Sequence, residues 1–426
     1  MTEKIKTIRG TREKAVLVGL VCRSFDDEEN SGEESLRELE ELVDTAGGEV
    51  TATVLQNRDE PDVSTYIGAG KAREIAELVE NSEAELVVFD NELTPSQART
   101  LEEILNCRVL DRSGLILDIF AGRARTAEGK LQVELAQYKY LLPRLTGMWG
   151  HLVRQTASGG KSPIGTRGPG ETQLETDRRH VRAHMQKLER ELENVRKTRA
   201  NQRRRREKNE IPVVAIVGYT NAGKSTLLNR LTGSSIEAND RLFDTLDTST
   251  RRLVIGEHTE VVISDTVGFI RRLPTHLIEA FKATLEELSY ADLILHVIDI
   301  SNPDWMAQAR VTEKLCDELA PEGVERLLVM NKADVCPPED LPNAGILISA
   351  KTGEGIDRLL AAIAAAVGEN TRKLELRLPF GRGDLVDFLK REAVVERLGY
   401  TEDGIEVTAV VRERYWGRVR DYVKEG

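Results

Sequence analysis

Apolar and polar positions show two different periodicities along the first part of the chain. Short β-rich runs occupy residues 15–22, 49–56, 85–90 and 107–110. The stretches between these runs repeat apolar residues at helical spacing, as Leu36, Leu39 and Leu42 do. Strands that alternate with helices predict a small domain with a parallel sheet, and we place this domain at residues 1–117.

One short segment of this region, which contains Gly68, Gly70 and Lys71, resembles a phosphate-binding loop. The segment lacks both the full loop spacing and the Ser or Thr that should follow the lysine. We therefore interpret it as a turn that precedes a helix.

Longer helical patterns follow, over residues 118–210. The first series is Leu131, Leu135, Tyr138 and Leu142. The second series is Leu174, Val181, Met185, Leu188, Leu192 and Val195, with Arg178 at one position of the seam. Spacings that alternate between three and four residues predict two long helices that pack as an antiparallel hairpin.

The loop that joins these two helices, residues 147–170, is rich in glycine and carries Arg154, Lys161 and Arg167. A loop of this length without a hydrophobic pattern is typically functional or disordered. It is therefore either a basic tip that enters a phosphate-lined space or a flexible connector. The second helix ends in Arg203, Arg204, Arg205 and Arg206. This run is either a solvated helix face or a contact to a phosphate backbone.

Composition then narrows the class of protein. Of the 426 residues, 60 are Lys or Arg and 72 are Asp or Glu, so the net charge is −12. This sign argues against a DNA-compacting protein but leaves local contact with RNA open. The four cysteines form no CxxC pair. The start lacks a signal-peptide core, and no apolar run reaches the ~20 residues that span a bilayer. We expect a cytoplasmic protein, with any membrane contact peripheral.

The strongest motif follows a buried-strand pattern at residues 213–217 and precedes a helical pattern at residues 226–231. It consists of Gly218, Tyr219, Thr220, Asn221, Ala222, Gly223, Lys224 and Ser225. A strand, GxxxxGKS and a helix form the P-loop in the setting that it requires. Its backbone N–H groups close around phosphates. We expect Lys224 to neutralise the β- and γ-phosphates and the Ser225 hydroxyl to ligate Mg²⁺.

Three further motifs follow predicted strands downstream. The first is Asp265, Thr266, Val267 and Gly268, where the carboxylate can hold Mg²⁺ through water and the Gly268 N–H can reach the γ-phosphate. The second is Asn331, Lys332, Ala333 and Asp334. Its Asp334 carboxylate can accept hydrogen bonds from N1–H and N2–H₂ of guanine, a donor pair that adenine lacks. The third is Ser349, Ala350 and Lys351, whose backbone N–H can meet guanine O6. Together these motifs predict a domain that binds GTP, at residues 211–368.

Other residues resemble the HflX family of ribosome-associated GTPases, and the resemblance covers nearly the whole chain. They are Asn221 in the P-loop, the stretch Phe243, Asp244, Thr245, Leu246 and Asp247, and the glycine-rich signature at residues 168–179. By this likeness the stretch 243–247 belongs to the nucleotide site, and Thr245 is the switch I threonine that Mg²⁺ and the γ-phosphate order. The chain departs from the family at Asp244, which is usually Ala, and at Thr248, which is usually Pro.

The resemblance also implies a function and its partners. It implies a Mg²⁺-dependent GTPase that binds the large (50S) ribosomal subunit and its rRNA, and that dissociates or rescues stalled ribosomes under stress. Lys224, Thr245 and Gly268 are then the expected catalytic residues, and Ser225 and Thr245 the expected metal ligands. The basic residues of the loop and of the run 203–206 would meet ribosomal RNA. We expect a monomer.

The residue after the Asp265–Gly268 motif is Phe269, where Ras-like enzymes have a glutamine that orients the attacking water. Phenylalanine cannot make that hydrogen bond, so other groups must place the water. This substitution predicts slow intrinsic hydrolysis and a competent site that depends on a partner.

The last segment, residues 369–426, shows a strand pattern at 374–378, an amphipathic stretch at 383–398 and a strand pattern at 404–411, which together predict a strand, a helix and a strand. The predicted fold class is therefore a multidomain α/β protein: a parallel-sheet N-terminal domain, a long helical hairpin, a P-loop GTPase domain and a small α+β C-terminal domain.

Two alternatives to this function stay open: a GTP-gated RNA- or ribosome-binding assembly factor with negligible turnover, and an ATPase, which Asp334 disfavours. An RNA-modification GTPase is disfavoured because no cysteine lies beyond Cys336.

Overall fold

The computed structural model describes fifteen segments of the chain. They are residues 12–25, 32–144, 178–195, 197–198, 211–234, 242–243, 249–255, 259–272, 277, 288–321, 323–337, 341–368, 371–401, 404–412 and 415–424. Several predicted features lie outside these residues: the glycine-rich loop 147–170, the run 203–206, and the stretch Asp244, Thr245, Leu246 and Asp247.

The N-terminal sheet is parallel throughout, as the alternating pattern predicts. Its strands are β1 (Lys14–Cys22), β2 (Glu49–Arg58), β3 (Leu86–Phe89) and β4 (Arg108–Asp111), in the order β2-β1-β3-β4. The helices between and after them are α1 (Glu33–Ala46), α2 (Ala69–Ser82), α3 (Pro95–Leu105) and α4 (Arg112–Arg123). Apolar side chains cover both faces of the sheet, with α1 and α4 against one cluster and α2 and α3 against the other.

Local sequence explains where these helices begin and end. Helix α1 ends at Gly47, which has a φ of 92° and so adopts the left-handed conformation that favours glycine. Helix α3 begins with a capping box, in which the Thr94 side chain accepts from the Gln97 N–H and the Gln97 side chain bonds back. The segment with Gly68 and Lys71 is the start of α2, in agreement with its interpretation as a turn before a helix.

Two helices of the predicted hairpin touch along the predicted seam. They are α5 (Ala127–Leu141) and α6, whose described residues are 178–195. Leu135, Leu188 and Leu192 are buried together between them. The ring of Tyr138 stacks edge-on against His184 at 5.1 Å, and His184 Nε2 lies 2.9 Å from Glu134 Oε1.

A second sheet carries the nucleotide motifs at its strand ends. Its strands are β5 (Val213–Gly218), β6 (Ser249–Ile255), β7 (Thr259–Asp265), β8 (Leu293–Asp299), β9 (Glu325–Asn331) and β10 (Ile346–Leu347). They lie in the order β10-β9-β8-β5-β7-β6, all parallel except β6, which pairs antiparallel with β7. The helices are α7 (Lys224–Thr232), α8 (Trp305–Leu319) and α9 (Ile356–Gly368). Ligands of open parallel sheets bind at the carboxyl ends of the strands, where the motifs lie.

The C-terminal sheet differs from its prediction by one strand. It contains β11 (Thr371–Leu378), β12 (Val394–Thr401) and β13 (Gly404–Arg412), in the antiparallel order β11-β13-β12, with helix α10 (Gly383–Glu392) between β11 and β12. The amphipathic stretch 383–398 was expected to be one helix, and this expectation is wrong. The β-branched pair Val394 and Val395 continues from the helix into a strand that pairs with Val410 and Ala409.

The four-part α/β architecture is therefore the one expected from sequence. Among the described residues, no helix is both long enough and apolar enough to cross a membrane.

Candidate active site

The P-loop is built by close packing around its two glycines. A Cβ at Gly218 would lie 2.3 Å from the Val297 carbonyl oxygen of the neighbouring strand. A Cβ at Gly223, where φ is 89°, would lie 2.3 Å from the Asn331 side-chain nitrogen. Only glycine leaves room for these contacts. They place the start of α7, and with it the backbone N–H groups, at the end of the central strand β5.

Lys224 is the charged group at the start of this helix. Lys224 is buried, and its Nζ donates a hydrogen bond to the Tyr219 carbonyl oxygen at 2.7 Å. Burial lowers the pKa of Lys224 to about 8, and the Asp265 carboxylate opposes part of that effect. Anionic phosphates would raise this pKa again, since they would add negative charge beside the buried ammonium.

Oxygen ligands for a metal lie beside this lysine. The Ser225 Oγ donates to Asp265 Oδ2 at 2.7 Å, and Asp265 is fully buried at the end of β7. A hydroxyl and a carboxylate are the hard oxygen donors that Mg²⁺ prefers, so the residues present fit this metal. The Thr220 hydroxyl is buried without a hydrogen-bond partner in the described part of the chain, and a phosphate oxygen could accept from it.

The segment after Asp265 runs against the P-loop. The Thr220 N–H donates to the Phe269 carbonyl oxygen at 2.8 Å, and the Phe269 N–H donates to the Gly218 carbonyl oxygen at 3.1 Å. A Cβ at Gly268 would lie 2.9 Å from Thr220 Cα and 3.0 Å from Lys224 Nζ. Glycine is therefore the residue that fits at Gly268.

Phe269 points away from this site. Its side chain is 1% exposed and packs with Val217, Ile294 and Leu315, between the sheet and α8. Neither its chemistry nor its position allows it to orient a water molecule at the phosphates. The structure thus gives a physical reason for the substitution seen in the sequence: the residue belongs to the core.

The base-recognition motifs lie on the other side of the P-loop. The Asn331 side chain donates to the Ala222 carbonyl oxygen at 2.8 Å and accepts from the Ala350 N–H at 3.0 Å. It thereby joins three motifs that are distant in sequence. Asp334 is exposed, and Lys332 Nζ forms an ion pair with Asp299 Oδ2 at 2.7 Å. The geometry leaves the Asp334 carboxylate accessible to a base.

Two predicted site residues direct their side chains toward the N-terminal domain instead. Phe243 is 2% exposed and packs edge-on against Phe120 of α4, with the ring centroids 4.7 Å apart. The Tyr219 hydroxyl donates to Glu38 Oε2 of α1 at 2.7 Å and accepts from the Arg271 N–H at 2.9 Å. Phe243 was predicted in the nucleotide site, and its ring lies in this apolar contact with the N-terminal domain.

A buried ionic cluster lies next to this contact, and we define it by Glu38, Asp90, Arg112 and Arg272. Arg112 forms ion pairs with Glu38 and, at 2.9 Å, with Asp90. Asp90 also pairs with Arg272 and accepts from the Ser35 hydroxyl. The side chains of Asp90 and Arg112 are 0% and 2% exposed. The cluster therefore ties the segment after Phe269 to the end of strand β3.

Sequence reasoning did not find this cluster, because its members come from four separate parts of the chain. One local signal was present. The dipeptide Asp111-Arg112 stands at the beginning of a helix whose following residues are almost all buried. A charged residue in such a helix is rarely buried unless it is paired. The partners themselves could not be named from the sequence.

Comparison with known proteins agrees with the arrangement of motifs. The GTP-binding GTPase N-terminal family matches residues 33–121, the GTP-binding GTPase middle region matches 123–206, and the 50S ribosome-binding GTPase family matches 213–332. A GTPase HflX of Caldanaerobacter subterraneus subsp. tengcongensis is 47% identical over 97% of this chain and 94% of its own length. The GTPase HflX of Escherichia coli K12 is 44% identical over 92% of both chains.

A solved GTP-binding protein of Sulfolobus solfataricus, in complex with GDP, is 24% identical and covers 84% of this chain and 99% of its own, with a TM-score of 0.42. The family of this chain is assigned from the identity and coverage of the two HflX relatives. The chain belongs to the HflX family and is a P-loop GTPase, an enzyme that hydrolyses GTP.

Proposed function

We propose that this GTPase binds the large (50S) ribosomal subunit and acts as a nucleotide-controlled factor that dissociates or rescues ribosomes. The observation that carries the proposal is the buried contact between the N-terminal domain and both segments that flank the phosphate site. Leu242 and Phe243 pack on α4, while Arg271 and Arg272 contact Tyr219 and Asp90. A change at the γ-phosphate would thus move residues that the N-terminal domain holds.

The chemical roles follow from the site. Lys224 would neutralise the β- and γ-phosphates, and the Gly268 N–H would meet the γ-phosphate. Ser225 and Thr245 would ligate Mg²⁺, with Asp265 acting through water, and the metal would supply positive charge against the charge that develops on the phosphates. Thr245 comes two residues after Phe243. An ordered Thr245 would therefore be coupled to the contact with Phe120.

Guanine would be held by the loops at Asn331–Asp334 and Ser349–Lys351. Asp334 would accept from N1–H and N2–H₂. Asn331 would keep the two loops and the P-loop at a fixed distance, through its bonds to Ala222 and Ala350.

Slow turnover without a partner follows from the position of Phe269. Because this side chain is buried in the core, the attacking water must be held by backbone groups or by groups that a partner supplies. We propose that the large subunit completes the site. GTP would then favour the ribosome-bound state, and hydrolysis would allow release. Such a cycle takes place in the cytoplasm.

Contact with ribosomal RNA is proposed for Arg154, Lys161, Arg167 and residues 203–206. On a chain with a net charge of −12, this basic group is a local exception that suits a phosphate backbone. Replacing residues 203–206 by alanine should weaken binding to large subunits and flatten its dependence on salt. Lys187 provides a control on α6, since it is exposed and faces Glu191 within the same helix. Lys187→Ala should leave the salt slope unchanged.

The direct test is co-sedimentation of the protein with purified large subunits in the presence of GDP or of a non-hydrolysable GTP analogue, combined with light scattering of 70S ribosomes. We expect the analogue to favour binding and to lower the scattering as subunits separate. Equal binding with both nucleotides, or no binding, would contradict the proposal.

A second candidate is an assembly factor that GTP gates and that has negligible turnover. The buried Phe269 favours it, since the site then lacks a side chain that positions water. Binding to large subunits without separation of 70S ribosomes, and without stimulated turnover, would favour this candidate.

A further inference from the structure

We propose that Arg230 is a positioning residue for guanine recognition, acting on the 6-position of the base through the backbone of the loop Ser349–Lys351. This inference rests on the base placement proposed above and adds to it a residue that none of the nucleotide motifs contains. Arg230 lies in the last turn of α7, the helix that the P-loop begins.

The Arg230 side chain bridges from α7 to two consecutive carbonyl groups of this loop. Its Nε donates to the Ala350 carbonyl oxygen at 3.1 Å, and its Nη2 donates to the Lys351 carbonyl oxygen. A planar guanidinium with donors in a fixed fork suits two neighbouring acceptors, which a lysine cannot match. The guanidinium also covers Gly353, where a Cβ would lie 3.7 Å from Arg230 Cζ.

The backbone of Ala350 is therefore held on both sides of its Cα. Its N–H donates to Asn331 Oδ1 at 3.0 Å, and its carbonyl oxygen accepts from Arg230. The rest of the loop closes on itself, since Ser349 accepts from Thr352 and Gly353 through its side chain and its backbone. Asn331 and Arg230 are thus the two attachments of Ala350, one to the base-binding strand end and one to the phosphate-binding helix.

This anchoring sets the direction of the next N–H. In a trans peptide the carbonyl and the following N–H point in opposite directions. With the Ala350 carbonyl turned toward Arg230, the Lys351 N–H is turned away from α7. An N–H fixed in this way can donate to O6 of guanine, whereas adenine presents an amino group, itself a donor, at the same position. Arg230 therefore contributes to the choice between a 6-oxo and a 6-amino purine.

Asp334 reads different atoms, so the two contributions can be separated. Inosine diphosphate keeps O6 and N1–H but lacks the 2-amino group. Loss of the Arg230 fork should weaken GDP and inosine diphosphate equally, because both present O6. Loss of the Asp334 carboxylate should instead change the ratio between them.

The test is competition of GDP, inosine diphosphate and ADP against a fluorescent GDP analogue, on the full chain with Mg²⁺. For Arg230→Ala we expect affinity for GDP and for inosine diphosphate to fall about tenfold each, since two hydrogen bonds from a charged donor are lost. Affinity for ADP should change less than about twofold, and the ratio of GDP to inosine diphosphate should stay constant. Arg230→Lys should behave like Arg230→Ala, because one ammonium cannot replace the fork.

Arg358→Ala is the matched control. Arg358 is also an exposed arginine, on α9, and it donates to the Leu347 carbonyl oxygen at 3.2 Å, just before the same loop. It makes no bond to Ala350 or Lys351 among the described contacts. Its replacement should leave the three affinities unchanged.

Several results would overturn the inference. In Arg230→Ala, they are an equal loss of affinity for all three nucleotides, or no loss of affinity for any of them. A loss of affinity for GDP and inosine diphosphate in Arg358→Ala would also overturn it. Arg230→Gln, which keeps a neutral donor, supplies the measurement if circular dichroism shows that the alanine variant is unfolded. Asp334→Asn tells apart failure of this inference and failure of the base placement: an unchanged ratio of GDP to inosine diphosphate in that variant would contradict the placement itself.

Discussion

Replacing Asp90 by asparagine removes one charge from the buried ionic cluster. In the native chain the two arginines and two carboxylates of this cluster sum to zero: Arg112 and Arg272 against Glu38 and Asp90. In Asp90→Asn a net charge of +1 stays in a site where the side chains of Arg112 and Arg272 are 2% and 16% exposed. The amide has nearly the shape of the carboxylate, so the variant tests charge rather than volume.

Breaking a buried ion pair by removing one partner costs about 3–5 kcal/mol. We expect the lower end, about 3 kcal/mol, because Arg112 keeps Glu38 and the asparagine can still accept a hydrogen bond from Ser35. This is a large share of the roughly 5–15 kcal/mol by which domains are typically stable. Arg272 should respond most, since its φ of 53° is a left-handed conformation that its surroundings must hold.

The assay is native-state hydrogen exchange, which gives the free energy of local opening in a chain of several domains. Peptides from α1, α4 and residues 265–272 should lose protection in Asp90→Asn. Asp44→Asn is the control, because Asp44 pairs with Arg12 on the surface, where both side chains are more than half exposed. An exposed pair contributes about 0–1 kcal/mol. If the two variants lose the same free energy of opening, the buried cluster does not stabilise the contact and our reasoning is wrong.

Three further predictions concern single residues of the GTPase domain. Burial and the nearby Arg326 lower the pKa of His296 to about 4. Because the unfolded chain binds the proton of His296 more tightly, the free energy of unfolding should fall by about 3 kcal/mol between pH 6.5 and 4. Measured by urea unfolding, the free energy of unfolding of His296→Leu should depend less on pH over this range. The same pH dependence in both proteins would refute this. Since the pKa of Lys224 is about 8, affinity for GDP should fall as pH rises above 8, with proton uptake on binding seen by calorimetry in two buffers; constant affinity up to pH 10 would contradict it. Gly218→Ala should abolish nucleotide binding, because the added Cβ would collide with the Val297 carbonyl oxygen. Gly233→Ala has open space around it and should cost only ~1 kcal/mol of stability, with nucleotide binding kept. Equal effects of the two variants on nucleotide binding would disprove the packing argument.

The GTPase domain could be predicted closely from the sequence because the residues of each motif suit only one local backbone arrangement. Gly218 and Gly223 lie where neighbouring atoms come too close for any side chain. Asp265 and Asn331 are the last residues of two strands, at the same edge of the sheet. Periodicity likewise predicted the parallel N-terminal sheet and the contact of Leu135 with Leu188 and Leu192.

Contacts between distant segments escaped prediction. Tyr219 reads as a P-loop residue, yet its hydroxyl binds Glu38, 181 positions away. Phe243 reads as part of a nucleotide segment, yet its ring packs on Phe120. Strand β12 was missed because Val394 and Leu398 also fit a helical period, and only pairing with β13 decides between the two. Nothing local in the sequence specifies such partners.

Whether the ribosome completes the competent site of this GTPase is decided by the rate of GTP hydrolysis with and without purified large subunits. We expect slow hydrolysis by the protein alone, because Phe269 is buried in the core, and strong stimulation by large subunits. Subunits that bind without changing the rate would contradict it.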